Sequence, residues 1–202
     1  MSEKTDVWTA VEKFRAQFST ELAKCPVDVL TTIEIRMRLD VIPFPNLLRT
    51  YSVDAAVMPD FSGIYVDKRS YQYLEGVPQW QFNRLRFSLA HELGHIIMHR
   101  ELVKDVQFKS LQDFWDWTRR YKESKYGLEW EANEFGGRLV VPRERLKVDF
   151  DAFVSGVKSD YPEWWMNASL REEIASHLGD KYGVHKDVVS CRFDREELWP
   201  IS

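Results

Sequence analysis

The chain has 202 residues, 44% of them hydrophobic and 30% charged, a balance that suits one compact domain and excludes a disordered or fibrous protein. Its 28 Lys and Arg stand against 32 Asp and Glu, a formal net charge of -4, without long blocks of one sign, so bulk electrostatics gives no reason to expect direct binding of nucleic acid. No apolar run approaches the roughly 20 residues of a membrane span, and the polar N-terminus lacks a signal core. The two cysteines, Cys25 and Cys191, are too far apart for a CxxC pair and fit structural thiols in a reducing compartment. A cytoplasmic protein without a membrane partner is expected.

In chain order, residues 7–22 place Val7, Val11, Phe14, Phe18 and Leu22 at steps of four and three, one apolar face of a helix. A break at Cys25-Pro26 precedes a second helical pattern over 27–39, with Val29, Leu30, Ile33, Met37 and Leu39 inward, ended by Pro43 and Pro45. Between 41 and 66 the signals become those of short strands and turns, with Ala55-Ala56-Val57 and Gly63-Ile64-Tyr65-Val66 as the strands of a small sheet. Residues 71–81 read as a loop. Residues 82–99 carry a strong helical pattern through Leu85, Leu89, Ile96 and Ile97.

An aromatic-rich insertion over 100–127 holds Phe114, Trp115 and Trp117 and reads as a packing helix in preference to a lid. Residues 129–141 are again helical and stop at Pro142. The remainder, 143–202, offers an aromatic stretch at Trp164-Trp165 and helices over 169–182 and 186–198. The expected organisation is a single domain over 1–202: an N-terminal helix in 1–25, the insertion, and a helical C-terminal part.

The segment His91-Glu92-Leu93-Gly94-His95 is an HExxH match, and its spacing has a physical meaning. Four residues advance a helix by only about 40° around its axis, so both imidazoles face one way and can offer nitrogens to one Zn2+. Glu92, about 100° round from His91, stands beside such an ion and can deprotonate its water. The surrounding helix is apolar, where such groups are costly to bury without a partner.

A catalytic zinc usually takes three protein ligands. His99 continues the four-residue step but lies about 12 Å along the axis from His91, too far to share an ion, and reads as a packing residue or a support for a ligand. The downstream helix offers Glu129 and Asn133 at i and i+4. Small Ala132, Gly136 and Gly137 would let that helix approach closely, bringing Glu129 to the metal and Asn133 to the second nitrogen of a ligand imidazole. Glu131 is the alternative ligand, and Glu134 fits a solvated face.

The run Arg86-Phe87-Ser88-Leu89-Ala90-His91-Glu92-Leu93-Gly94-His95, the following Met98-His99, and Glu129-x-Glu131-Ala132-Asn133-x-Phe135 leading to Leu139-Val140-Val141-Pro142 resemble the ImmA/IrrE family of zinc metallo-endopeptidases. With the Gly63-to-Asp67 strand the similarity extends over about residues 26–199. Residues 1–25 and the insertion are not covered, and Gly136-Gly137 stand where an alanine is usual. The resemblance implies an α+β fold: a mostly helical, zincin-like domain with a small β-sheet flanking the HExxH helix. In the gluzincin class, to which it also points, the third ligand is the glutamate four residues before an Asp or Asn, which is Glu129. It implies Zn2+ held by His91, His95 and Glu129, Glu92 as catalytic base, and a protein substrate such as a cytosolic helix-turn-helix repressor encoded nearby.

Tyr65, Tyr71 and Tyr73 are candidates for stabilising the oxyanion, and a peptide adding as a strand near Gly63 to Val66 is one way to seat the substrate. Two other readings stand beside this one. The first is a zinc-binding regulatory module without catalysis. The second is a DNA-binding regulator, suggested by a helix, a glycine turn and a helix around Gly183, but residues 169–199 hold five Lys or Arg against seven Asp or Glu, a poor footprint for phosphates.

Overall fold

The computed structural model describes residues 4–72, 79–121 and 127–200. Helix α1 (Lys4–Gln17) is followed by a single turn, α2 (Ser19–Leu22), and by α3 (Val29–Thr31), which widens into a π-helical turn at Thr32–Arg36. Strand β1 (Asp40–Phe44), helix α4 (Leu47–Tyr51), strands β2 (Ala55–Val57) and β3 (Gly63–Asp67), and helix α5 (Lys68–Gln72) come next. The long α6 (Gln79–Val103), then α7 (Leu111–Arg120), α8 (Leu128–Val140), α9 (Arg143–Val157), a 3-10 turn at Trp164–Met166, α10 (Ala168–Tyr182) and α11 (Lys186–Arg195) follow among the described residues. The fold is the expected mostly helical α+β arrangement with one small sheet. No helix among the described residues is long and apolar enough to cross a membrane.

The apolar periodicities become one core. Val7, Val11 and Phe14 of α1 are buried and dock on α8, while Leu85, Leu89 and Ile96 line the inner side of α6. Local chemistry sets several helix ends. The side chains of Ser110 and Asn167 accept the backbone N–H of Asp113 and Leu170 at the starts of α7 and α10, and α10 ends on Gly183 in the left-handed conformation.

The sheet has the order β1-β3-β2, with β1 parallel and β2 antiparallel to β3. Gly63 is obligatory at its position, because a Cβ there would collide with the backbone carbonyl of Asp40. The expectation of strand addition along Gly63 to Val66 is corrected by this topology. β3 is central, and both of its edges are already paired, so no peptide can add there.

Other differences have local causes. Pro43, read as a stop signal, sits within β1, an edge strand that tolerates the missing donor. The helical C-terminal part expected over 143–202 begins with α9, for which no separate helix is expected from the sequence, although Leu146, Phe150 and Val154 are buried at four-residue steps behind Pro142. Of the loop expected over 71–81, residues 73–78 lie outside the described residues, and helices reach in from both sides. The insertion contributes α7, whose Phe114 is buried with its ring edge-on to Phe61 at 5.5 Å between centroids. That is packing, as expected.

Glu134 does not lie on a solvated face. It is buried, accepts hydrogen bonds from Trp8 Nε1 (2.7 Å) and Arg138 Nε (3.3 Å), and faces the guanidinium groups of Arg192 and Arg195. A buried carboxylate of this kind survives only by such pairing. Arg138 is a local partner one turn along α8, but Trp8, Arg192 and Arg195 come from α1 and α11, which no helical periodicity could foretell.

Candidate metal centre

Helix α6 carries His91 and His95 one turn apart, and α8 runs antiparallel against it. The close approach depends on small residues. A Cβ on Gly94 would stand 3.0 Å from the backbone of Ala132, and one on Gly136 would stand 2.9 Å from the backbone nitrogen of His91. Gly137, expected to share this role, does not: a Cβ there would meet only Arg192 Cδ at 3.5 Å.

This packing brings three donors together. His91 Nε2 lies 3.2 Å from His95 Nε2, 3.4 Å from Glu129 Oε2, and His95 Nε2 lies 3.6 Å from Glu129 Oε1. A tetrahedral ion that holds N and O donors at about 2.0–2.1 Å keeps them about 3.3 Å apart, so the cluster fits Zn2+ in both donor chemistry and spacing. The cluster opens towards solvent at Glu129, whose side chain is 47% exposed, and closes at His95, which is buried with the ring of Phe114 edge-on at 5.9 Å.

The neighbours of these donors orient them. Asn133 Oδ1 is 3.0 Å from His91 Nδ1, the position expected of it. Glu92 is buried, its Oε2 accepts the Val57 N–H at 2.6 Å, and its Oε1 is 3.9 Å from His91 Nε2. That backbone donor was invisible to sequence reading, since an N–H carries no residue signature; the only signal was a strand shortly before the histidine helix. Glu131, the alternative ligand, points elsewhere: its Oε2 is 2.9 Å from His99 Nε2, outside the three-donor cluster. Neither described tyrosine candidate joins the cluster. Tyr71 donates its hydroxyl to Glu34 Oε1 at 2.8 Å, Tyr65 packs edge-on to Phe44 in a separate small apolar cluster, and Tyr73 lies outside the described residues.

The protein groups alone polarise the site strongly. Burial pushes the Glu92 carboxyl up to about 7, against the opposing pull of His91 and the Val57 N–H. Burial also pushes His95 down to about 4, although Glu129 opposes this. Glu129 itself is held below the ordinary carboxylate range because the two imidazoles outweigh its partial burial. His91, although burial opposes it, is pushed up by Glu129 and Glu92, so without an ion the cluster holds one neutral imidazole and one that attracts a proton beside a charged carboxylate, a place that favours positive charge.

A family model described as "Peptidase_M78: IrrE N-terminal-like domain" matches residues 83–193, more than half of the chain. The chain belongs to this IrrE-like metallopeptidase family. No curated protein and no solved structure matches it. The matched stretch holds His91, Glu92, His95, Glu129 and Asn133 of the IrrE-like protein, while α1 to α5 and all three strands precede it. The family model therefore covers less than the span of about 26–199 suggested by the motifs, but it contains every donor of the cluster.

Proposed function

We propose that this IrrE-like protein is a zinc-dependent endopeptidase, with His91, His95 and Glu129 holding Zn2+ and Glu92 as general base. The observation that carries the reading is the set of 3.2, 3.4 and 3.6 Å separations among the three facing donor atoms. When bound, Zn2+ supplies polarisation of the scissile carbonyl and acidification of water. The chain's own residues do the rest. Asn133 Oδ1 accepts the Nδ1–H of His91, which leaves the Nε2 lone pair turned into the cluster. Val57 anchors one oxygen of Glu92 and leaves the other beside His91, so Glu92 takes a proton from the attacking water and delivers it to the departing amine.

A cytoplasmic helix-turn-helix repressor encoded nearby is the proposed substrate, on the strength of the family alone. Direct duplex binding is not favoured. Each of the five cations between residues 169 and 199 faces a carboxylate: Arg171 with Asp194, Lys181 with Asp149, Lys186 with Glu172, and Arg192 and Arg195 with Glu134. Incubation of the zinc-loaded protein with the neighbouring repressor tests the reading. Glu92→Gln is expected to keep Zn2+ and lose about 10²–10⁴-fold in cleavage rate. Undiminished cleavage by that variant would overturn the role of Glu92, and Zn2+ binding by a wild type that cuts no repressor would favour the non-catalytic module.

A further inference from the structure

Helix α6 places a third histidine one turn beyond His95, and the mechanism above does not use it. His99 is 1% exposed, and so is its partner Glu131 at 2%. The His99 ring bridges two groups: its Nδ1 is 3.0 Å from His95 Nδ1, and its Nε2 is 2.9 Å from Glu131 Oε2. The direction of these bonds follows from donor and acceptor chemistry. An ionised carboxylate only accepts, so a neutral His99 carries its one proton on Nε2. Its Nδ1 is then an acceptor, and the facing Nδ1 of His95 must be the donor. His95 Nε2 is left with a lone pair, and that is the atom that faces His91 Nε2 and Glu129.

We propose that Glu131 and His99 are positioning residues that form a buried relay, fixing the tautomer of His95 so that its Nε2 is free to bind a divalent metal. The inference rests on the reading of His91, His95 and Glu129 as a metal centre, but it concerns where a proton sits and not a change of charge. It also explains a difference between the two imidazoles. His91 is near the opening and meets a single exposed amide, Asn133; His95 is buried, where a direct carboxylate would be a third one beside the cluster after Glu92 and Glu129. Interposing His99 keeps the orienting carboxylate one ring further away.

The test is made on the full chain with labelled histidine nitrogens. In mildly alkaline buffer, nitrogen NMR of the metal-free protein is expected to show the proton of His95 on Nδ1 and that of His99 on Nε2. Zn2+ affinity is measured in parallel by competition with a chromophoric chelator. Glu131→Gln keeps an acceptor oxygen and should retain the His95 tautomer, with a Kd within a few-fold of wild type. Glu131→Met and His99→Phe keep bulk but break the relay, and should weaken Zn2+ binding about 10–100-fold while His95 loses its preference for Nδ1–H. Circular dichroism identifies which variants fold, and the wild-type tautomer and the Gln variant decide the matter if the others do not. A proton on Nε2 of His95 in the wild type, or a folded Glu131→Met that binds Zn2+ as tightly as wild type, would overturn the relay. A wild type that binds no Zn2+ would instead sink the metal-centre reading, and the tautomer spectrum would still decide the relay.

Discussion

Asp149 on α9 accepts the Lys181 ammonium at 2.7 Å and the Tyr182 hydroxyl at 2.6 Å. Partial burial opposes its ionisation, but these two partners hold its carboxyl below the ordinary range. A carboxylate depressed in the folded state stabilises the fold above its unfolded value, and that contribution disappears as the pH falls through the folded value. Asp149→Asn is therefore expected to cost about 1.5–3 kcal/mol at neutral pH, and the difference should close in acid below about pH 4. Thermal melts of both proteins across that range check it; a gap that persists unchanged in acid would refute the assignment. Single residues were legible in the sequence where their partners are local. His91, Glu92 and His95 could be read together because helical geometry relates them directly. Glu134 was misread because only Arg138 is a local partner; Arg192 and Arg195 come from a helix more than fifty residues away.

At the level of elements, the centre depends on how closely two helices approach. A methyl group on Gly136 would press on the backbone of Ala90 and His91, which cannot rotate aside as a side chain would. Gly136→Ala should therefore push α8 away from α6 and carry Glu129 and Asn133 with it. The expected cost is about 1–3 kcal/mol in urea unfolding, with weaker Zn2+ binding by the same titration. Gly137→Ala is the control: it meets no backbone, and should be neutral or gain up to about 1 kcal/mol from helix propensity. Equal behaviour of the two variants would remove Gly136 from the site. The helices α6, α8 and α10 were legible from their periodicity, whereas β1 was hidden by Pro43, whose cost vanishes only at a sheet edge. Edge position is a property of the assembled sheet and has no local signal.

The whole molecule places α1, which precedes the matched family stretch, directly behind the site. Arg15 donates to the Leu139 carbonyl at 2.9 Å, Trp8 donates to Glu134, and Val7, Val11 and Phe14 are buried. Three such side chains contribute about 1.5–3 kcal/mol each, against a usual total stability of about 5–15 kcal/mol. Removing residues 1–17 is expected to abolish cooperative unfolding and Zn2+ binding together, in keeping with the proposal that 1–202 folds as one unit. A truncated chain with a wild-type melting curve would show that α1 is an accessory.

The amino-acid order alone determined that His91 and His95 point the same way with Glu92 beside them, because the turn of a helix is set by its own backbone. It also singled out Glu129 and Asn133 as one face of a second helix. Only the tertiary structure decided that Glu129 meets the imidazoles while Glu131 turns to His99, and that β3 is interior to the sheet. Those outcomes depend on the antiparallel registration of α8 on α6 and on strand order, which follow from contacts between segments far apart in the chain.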